Sequence, residues 1–429
     1  MTNPPGILTG SMVTQEGCAS LANSAGSLLF YTDGITIWNQ NHTAMANGTG
    51  LNGNGSTTQA AVIVKQPGAQ TTYFVFTLGA GGSAPLYYSV VDMSLAAGMG
   101  SVTVKNVLVS FNNTEKLTSV NHCNGSDVWV LAHSQFGTNT YSAYLVTSIG
   151  VNTVAVTSQI GVTNASVAGY MKLSPNGKKL GVGLYGCPSG VAEIYDFDAS
   201  TGIISNSLVL GAGINGFAYG CEFSPDGTKF YAASSSGKIY QWDLCAGNSV
   251  AIAASQFTIA STFTWGMQLA TNGKIYVTRL GQSALGVINN PNALGAACNY
   301  VDNGQLVSPN VGRLGLPNFI TSGFKPPPPP FTHTVSNAYG CQTASFTAPA
   351  IAQNFTVIGC AASGYSLTGL QWDFGDPPSG ANNTSTLTNP AHAFTTLGTY
   401  TTQLILYYSC GGGTDTIKQI VNVNQPCIA

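Results

Sequence analysis

Residues 220–244 read GCEFSPDGTKFYAASSSGKIYQWDL, and this stretch decides the fold. It contains an apolar run, an Asp-Gly pair, a second run rich in aromatic residues, a glycine and a third run. Asp-Gly and Asn-Gly are the strongest short-range hairpin signals, because the turns need a positive φ that glycine adopts without steric cost. The stretch therefore predicts three consecutive antiparallel strands.

The same pattern recurs on both sides of this stretch. Residues 169–186 read GYMKLSPNGKKLGVGLYG and residues 266–290 read GMQLATNGKIYVTRLGQSALGVINN. The turn glycines Gly177, Gly227 and Gly273 are spaced 50 and 46 residues apart, and weaker copies precede them. Four short strands in about 45 to 55 residues are typical of a β-propeller blade. We count six blades between residues 16 and 308.

The two ends of the repeat region must close the ring. RLGLPNFITSGF, from Arg313, reads as one innermost strand, and PPGILTGSMV, residues 4–13, reads as a lone outer strand. If these segments pair, the propeller has seven blades with an incomplete closing blade; otherwise it has six blades and an extra strand. An incomplete blade exposes unpaired main chain, which invites strand addition by another chain.

A proline run divides the chain. KPPPPPF begins at Lys325, and consecutive prolines form an extended polyproline II spacer. We expect a propeller over residues 1–324, a linker over 325–330 and a second domain over 331–429. Alternating polar and apolar runs return in the second domain and predict an immunoglobulin-like β-sandwich with Trp372 in its core.

Charge is scarce. Lys and Arg number 13, Asp and Glu number 15, and the net charge is -2, so long helices with charged outer faces are not expected and the chain is predicted to be all-β. Without a basic cluster we expect no nucleic-acid partner. Apolar runs fall far short of the roughly 20 residues that span a bilayer, so no membrane insertion is expected. The first residues lack a signal-peptide pattern, and we expect a signal that was removed or that this form does not carry.

Ten cysteines form an even set without a C-x-x-C pair, which favours disulfides in an oxidising compartment over a zinc site. Free buried thiols are the alternative for some of them. The last four fall within 100 residues and make the second domain the strongest candidate for disulfide bonding: Cys341, Cys360, Cys410 and Cys427. Their connectivity stays open.

The second domain resembles the PKD (polycystic kidney disease) domain. It carries the W-x-F-G-D strand end at residues 372–376, the G-T-Y motif at residues 398–400, and NPAHAF between them. It departs from the family at Pro377-Pro378, where glycine is usual, so the following turn must differ.

The first domain resembles propellers that precede PKD domains in Bacteroidetes surface proteins associated with gliding motility and type nine secretion. The matching segments include EGCASLANSAGSLLFYTDGITIWN, LYYSVVDMSL, TEKLTSVNH, LGVINNPNALGAACNYVDNG and LGLPNF. The resemblance implies a secreted or cell-surface location rather than an activity.

Candidate site residues follow from the repeat register. A propeller commonly binds ligands where its innermost strands begin, around the central channel. Five polar residues lie at or near these positions and are our ligand-binding candidates: Glu16, Gln59, Glu115, Lys116 and His122. Lys172 and Glu222 occupy the same innermost-strand position in adjacent blades, and we expect them to form a structural inter-blade tie.

Other chemistry is weakly supported. No G-x-S-x-G motif occurs and the five His are scattered, so we predict no catalytic residues and no enzyme. We expect no cofactor, with calcium at Asp373 and Asp376 as the exception to test. Thr416, in an Asp-Thr-Ile triplet, is a candidate O-glycosylation site.

Three functions compete. The first is a non-enzymatic surface protein that binds a glycan or a protein, with the propeller as binding head and the PKD module as stalk. The second is a structural subunit of an extracellular filament or surface layer, whose copies join through the incomplete blade. The third is a carbohydrate-active enzyme, since a propeller can bring distant carboxylates together.

Overall fold

A computed structural model describes residues 8–163, 166–187, 190–212, 217–326, 328–336, 343–349, 367–408 and 414–423. The chain divides into two compact units: Met1–His122 with Ser126–Lys325, and Pro326–Ala429 with Cys123–Gly125. The described residues are almost entirely strands and turns. They include one α-helix, α1 (Ser249–Ala254), and short 3-10 segments at Ala96–Gly98, Gly295–Cys298, Thr321–Phe324 and Pro377–Asn383. No helix among them is long and apolar enough to cross a bilayer.

The first unit contains six groups of antiparallel strands, as the repeats predict, and each group is a blade. Blade 1 comprises β1 (Cys18–Ala22), β2 (Leu28–Thr32), β3 (Thr36–Asn39) and β4 (Ala44–Thr49). Blade 2 comprises β5 (Ala61–Lys65), β6 (Thr72–Leu78), β7 (Ala84–Asp92) and the first half of β8 (Ser101–Asn121). Blade 3 comprises the second half of β8, β9 (Val128–Ser134), β10 (Thr140–Thr147) and the short β11 (Gly150–Val151) and β12 (Val156–Gln159).

Blades 4 to 6 are separate four-stranded sheets. Blade 4 comprises β13 (Met171–Leu173), β14 (Lys179–Gly183), β15 (Ala192–Asp198) and β16 (Ile203–Leu210). Blade 5 comprises β17 (Ala218–Phe223), β18 (Lys229–Ser234), β19 (Lys238–Asp243) and β20 (Phe257–Ala260). Blade 6 comprises β21 (Met267–Leu269), β22 (Ile275–Val277), β23 (Ala284–Ile288) and β24 (Tyr300–Leu306).

The repeated Asn-Gly and Asp-Gly pairs form the predicted tight turns. Gly177, Gly227 and Gly273 have φ of 70°, 71° and 75°. In blade 5 the Gly227 amide donates to Ser224 O at 2.9 Å, and Ser224 N donates to Lys229 O. This is a type I turn followed by a left-handed glycine, rather than a two-residue turn, and it explains why only the glycine needs positive φ.

A closing segment, residues 313–324, follows blade 6. Its strand β25 (Pro317–Asn318) pairs with β1 in parallel, with Cys18 opposite Pro317 and Ala19 opposite Asn318. Further along, Ile320 forms a parallel bridge with Ser119 in the inner half of β8. Innermost strands of a propeller all run in one direction, so a parallel partner at the axis is itself in an innermost position.

Main-chain hydrogen bonds around the axis show where the closing segment lies. Among the described residues they link six of the seven neighbouring pairs of segments, all but blades 5 and 6: Gly17 N to Thr57 O (2.9 Å), Gln59 N to Glu115 O (3.2 Å), Glu115 N to Val167 O (3.2 Å), Tyr170 N to Tyr219 O (2.6 Å), Gly266 N to Leu314 O (2.9 Å) and Leu314 N to Gln15 O (3.0 Å). Leu314 therefore connects blade 6 to blade 1. The propeller has six blades, and the closing segment adds one further strand, which begins between blades 6 and 1 and continues along the axis to blade 3.

The N-terminal segment lies elsewhere than expected. Residues 8–14 contain no strand, and Ser11 N donates to the Tyr31 hydroxyl at 2.8 Å while Ser11 Oγ donates to His42 O at 2.7 Å. Of the two alternatives, residues 8–13 do not show the pairing with the closing segment, since the closing segment pairs with β1. Residues 4–7 lie outside the described residues. Because β25 and β1 are about 300 residues apart and pair in parallel, no turn joins them, and the sequence carries no local signal for their pairing.

The second unit is a β-sandwich. One sheet contains β26 (Thr332–Ser336), β27 (Thr343–Thr347) and β30 (Ala391–Ala393), and the other contains β29 (Thr384–Ser385), β28 (Leu367–Asp373), β31 (Gly398–Tyr408) and β32 (Thr414–Val423). Trp372 is fully buried, with its ring 4.9 Å from that of Phe331 and 5.3 Å from that of Phe346. The sandwich core therefore forms around the tryptophan that the sequence singles out.

Four propeller cysteines are free buried thiols: Cys18, Cys187, Cys221 and Cys298. Burial raises the pKa of Cys18 to about 12, so this thiol stays protonated. For these four, the alternative of free buried cysteine applies and the disulfide expectation is wrong. Cys123 and Cys245 are not among the free thiols, and the four cysteines of the second domain lie outside the described residues.

Candidate functional site: the mouth of the propeller axis

The innermost strands begin at one end of the axis, and the residues that precede or open them form its mouth. Four of these segments share a large side chain followed by glycine: Glu16-Gly17, Tyr219-Gly220, Trp265-Gly266 and Leu314-Gly315. A Cβ at Gly220 would lie 2.0 Å from Trp265 O, and a Cβ at Gly315 would lie 2.1 Å from Glu16 O. Only glycine lets the neighbouring main chains come this close.

Glu16 is partly buried at the mouth, and its Oε2 atom is a buried acceptor without a hydrogen-bond partner among the described residues. Burial, and then the negative charge of Glu115, raise the pKa of Glu16 to about 7. The Tyr219 hydroxyl is also buried without a well-formed hydrogen bond, and it lies close enough to the Glu16 and Thr58 side chains to interact with both. Burial raises the pKa of Tyr219, and the charges of Tyr170 and Glu16 add to this rise. Residues of blades 1, 3, 4 and 5 thus act on one another here, which is possible only at the axis.

Both carboxyl oxygens of Glu115 accept hydrogen bonds from within the protein. Its Oε2 accepts from Thr58 N at 3.0 Å and from the Thr58 hydroxyl at 2.9 Å, and its Oε1 accepts from Gly81 N at 3.0 Å. We call Glu16, Thr58, Glu115 and Tyr219 the mouth cluster.

The side chain of Lys116 lies in the protein interior. It is fully buried, and its Nζ donates to Val167 O and Ala168 O. Burial lowers the pKa of Lys116 to about 7, while Glu115 opposes this shift. The structure thus places Lys116 in an inter-blade contact beneath the mouth.

Gln59 also joins blades. Its Oε1 accepts from Met171 N at 2.8 Å and from Leu117 N at 3.2 Å, and its Nε2 donates to Met171 O at 3.0 Å. With 2% of its surface exposed and each of these bonds internal, Gln59 is placed to connect blades 2, 3 and 4.

His122 lies at the other end of the inner half of β8. It follows Asn121, the last residue of that strand, whereas Glu115 lies seven residues earlier. At about 3.3 Å per residue, seven residues of strand separate the two by roughly 20 Å. His122 packs against Trp129, and its Nε2 lies 3.2 Å from Ser200 O. Grouping His122 with the mouth is therefore wrong, because the sequence register locates a strand but not which of its ends a flanking residue occupies.

Lys172 and Glu222 are buried together one layer below the mouth. Lys172 Nζ lies 3.8 Å from Glu222 Oε2 and donates to Gln268 Oε1 at 2.5 Å. The carboxylate accepts from Phe223 N and Leu269 N. These partners come from blades 4, 5 and 6, and the geometry is that of a structural tie.

Sequence reasoning missed the aromatic side of the mouth. The Tyr219 ring lies 5.7 Å from Tyr170, 5.8 Å from Tyr185 and 5.5 Å from Trp265. Tyr219 is 3% exposed, whereas Tyr185 and Trp265 are partly exposed. The signal that could have found two of them is the recurrent large residue before glycine at the start of the innermost strands.

In the second unit, Asp373 and Asp376 are engaged internally. Asp376 accepts from His392 Nε2 at 3.0 Å, Thr395 N at 3.0 Å and the Thr395 hydroxyl at 2.6 Å. Burial opposes ionisation of Asp376, but the bonds from Thr395 and His392 lower its pKa below the usual value.

Asp373 accepts from Gly375 N and Asn383 Nδ2. No group of three or more His, Cys, Asp or Glu able to hold a metal occurs in the described ranges. Calcium binding stays a prediction. Thr416 is exposed on β32, where a modification would be accessible.

Comparison with known proteins identifies one of the two units. Residues 334–423 match the PKD domain family. PKD domains are typical of extracellular proteins. The chain therefore combines a propeller with a PKD domain. No curated protein matches it.

Solved structures resemble the chain only in fold. A chain from Bacteroides uniformis, assigned provisionally as a 6-phosphogluconolactonase, is 12% identical with a TM-score of 0.41, over 96% of this chain and 98% of that one. Hydrazine synthase of Kuenenia stuttgartiensis is 14% identical with a TM-score of 0.40, and Hsv2p of Kluyveromyces lactis is 10% identical with a TM-score of 0.36. Each of these two alignments covers 66% of this chain and 80% of the other. Likeness at this level carries no functional argument.

Proposed function

We propose that this chain is a non-enzymatic extracellular or cell-surface protein for adhesion or recognition, with the propeller as binding head and the PKD module as stalk. The PKD match supports the extracellular setting. The observation that carries the binding role is the polar cluster at the mouth, where Glu16 Oε2 and the Tyr219 hydroxyl are buried close to one another and neither makes a well-formed hydrogen bond among the described residues. Buried polar atoms are normally satisfied, so unsatisfied ones that converge at a channel mouth favour a ligand that completes them.

The test is binding by the full chain to immobilised glycans and to surface proteins, with Glu16→Gln and Tyr219→Phe as variants. We expect each variant to bind about two- to tenfold more weakly, since each loses or weakens one hydrogen bond. Asp302→Asn, an exposed acid on the outer strand of blade 6, is the matched control and should bind like the wild type. Absence of any ligand on broad glycan and protein panels would refute the binding role.

The absence of catalysis is part of the same proposal. A glycosidase needs two carboxyl groups free to act on the substrate. Glu16, with a pKa near 7, would suit a general acid, but both oxygens of Glu115 already accept hydrogen bonds from the protein. Turnover of a glycoside by the wild type that Glu16→Gln abolishes would overturn this and favour the carbohydrate-active enzyme.

One observation favours a second candidate function, self-assembly into a filament or surface layer. Among the described residues only the closing segment joins blades 6 and 1 and no outer strand accompanies it, so this junction is where a strand of another copy would add. The low charge of the chain weakens the repulsion between copies. Electron microscopy and light scattering of concentrated protein test this: filaments would support assembly, and uniform monomers would contradict it.

The cellular setting is proposed on the sequence resemblance. We propose export by a type nine secretion system in a member of the Bacteroidetes, disulfide bonding among the cysteines of the second domain, and O-glycosylation at Thr416. Mass spectrometry of the protein isolated from its native host tests all three, since the N-terminus, the free-thiol count and the mass of the peptide containing Thr416 each report one of them.

A further inference from the structure

The mouth has an aromatic side and an acidic side. The aromatic side comes from blades 4, 5 and 6: Tyr185 and Trp265 are partly exposed and pack edge-on against the buried Tyr219, with interplanar angles of 88° and 80°. Phe263 lies two residues before Trp265 on the same loop and is 71% exposed. Flat apolar surface is therefore available next to the mouth cluster.

The acidic side comes from blades 1 and 3, and its charge is negative. Glu115 accepts hydrogen bonds from Thr58 and Gly81, and Lys116 donates to main-chain carbonyls beneath the mouth. Glu16 Oε2 makes no well-formed hydrogen bond among the described residues, although it lies near the Tyr219 and Thr58 hydroxyls. Arg313 precedes Leu314 on the closing segment and is exposed.

The floor of the mouth is closed by the chain itself. Leu316 N donates to the Tyr170 hydroxyl at 2.9 Å, Asn318 Nδ2 donates to Leu117 O at 2.8 Å, and Thr321 Oγ1 donates to Ser119 O at 3.1 Å. The closing segment thus runs along the axis beneath the mouth. A ligand at the mouth therefore cannot thread along the axis, so the end of a chain or a side branch fits better than a threaded strand.

These features favour one class of ligand. The inference rests on the proposed function, in which the mouth is the binding site. A wholly apolar ligand would offer no hydrogen bond to Glu16 Oε2 or to the Tyr219 hydroxyl, which make no well-formed hydrogen bond among the described residues. An anionic ligand would be disfavoured next to Glu115 and Glu16, although the raised pKa of Glu16 leaves this carboxyl only partly charged near neutral pH. A pyranose ring offers an apolar C–H face that packs on an aromatic ring and hydroxyl groups that donate and accept hydrogen bonds. We infer that the mouth binds a terminal neutral sugar of a glycan, stacked on Trp265 and hydrogen-bonded to Glu16 and Tyr219.

The experiment compares the full chain and its variants on arrays of neutral, sialylated and uronic-acid glycans, followed by titration calorimetry with the best neutral glycan. Trp265→Ala should weaken binding by about tenfold or more, as expected when an aromatic anchor is lost. Trp265→Tyr, which keeps an aromatic ring, should recover most of the affinity and shows that the loss is not misfolding. Phe111→Ala, an exposed aromatic residue on the outer strand of blade 2, should have no effect.

Selective binding of neutral glycans that depends on Trp265 supports the inference. Binding only of acidic glycans, lost in Arg313→Ala, overturns it, as does glycan binding that Trp265→Ala and Glu16→Gln leave unchanged. A protein ligand with no glycan bound also overturns it while leaving the recognition role intact. If no ligand of either class is found, the proposed function fails as well.

Discussion

The side-chain amide of Gln59 accepts and donates hydrogen bonds to neighbouring main chains, as a peptide group does in a β-sheet. It accepts from two innermost-strand amides, Leu117 N and Met171 N, and donates to Met171 O. Such a residue looks from sequence like any polar residue near a channel, because polarity and register do not show whether the partners are protein or ligand. The same ambiguity applies to Lys116, whose partners are main-chain carbonyls.

Replacement of Gln59 by leucine should destabilise the propeller. Gln59→Leu leaves three buried main-chain groups without partners, and we expect a loss of about 2–4 kcal/mol in the free energy of unfolding. Urea denaturation followed by tryptophan fluorescence measures this. Gln66→Leu is the control: its amide donates to Ser148 O at an exposed site, and a change within about 0.5 kcal/mol is expected. Equal effects of the two substitutions would contradict the assigned role.

Glu16 should make stability depend on pH below neutrality. Its pKa is raised from 4.5 to about 7 in the folded state, so between these values the folded chain binds a proton that the unfolded chain has lost. The contribution of Glu16 to stability therefore falls as pH rises from 4.5 to 7. The urea midpoint of the wild type minus that of Glu16→Gln should decrease over this range. Asp302→Asn should track the wild type, and parallel curves for Glu16→Gln would show that the pKa is not raised.

At the scale of elements, the hairpins were predictable and β8 was not. Ser-Pro-Asp-Gly and its relatives fix the turn locally, so blades 4 to 6 could be drawn from sequence. Strand β8 runs for 21 residues and serves as the outer strand of blade 2 and the innermost strand of blade 3. No turn signal separates the two halves, because the change of blade is made by register shifts and left-handed residues, with φ of 57° at Asn106 and 60° at Asn112.

Asn112 should therefore tolerate glycine but not a β-branched residue. Asparagine adopts the left-handed backbone conformation at a moderate cost in free energy. Glycine adopts it at no cost, and valine at a cost of roughly 1–2 kcal/mol. Since the Asn112 side chain is exposed, the difference between the two variants reports the main-chain conformation rather than lost packing. We expect Asn112→Val to lower the free energy of unfolding by about 1–2 kcal/mol and Asn112→Gly to change it by less than about 0.5 kcal/mol. A well-tolerated valine would mean that this residue is not left-handed.

At the scale of the molecule, sequence repeats gave the number of blades but not the way the ring closes. Closure depends on contacts between residues about 300 apart, such as Leu314 N with Gln15 O, which no local pattern encodes. A partial signal exists: Leu314-Gly315 repeats the large residue and glycine of Glu16-Gly17, Tyr219-Gly220 and Trp265-Gly266. The same repeat places Glu16, Tyr219 and Trp265 around one mouth. The candidate site and the closure of the ring are thus consequences of one feature, the tight approach of the innermost strands at glycine.

Ring closure can be tested at Gly315. A Cβ there would lie 2.1 Å from Glu16 O, and a main-chain atom held between blades 1 and 6 cannot move aside as a side chain can. Gly315→Ala should cost about 3 kcal/mol by overpacking, or release the closing segment from the axis. Gly323→Ala lies in the same segment with nothing within 4 Å of the added Cβ, and should change stability by less than about 0.5 kcal/mol. Urea denaturation and limited proteolysis of residues 313–324 distinguish the two results. If Gly315→Ala is as stable and as protease-resistant as Gly323→Ala, the close approach of Gly315 to Glu16 O does not hold the ring together.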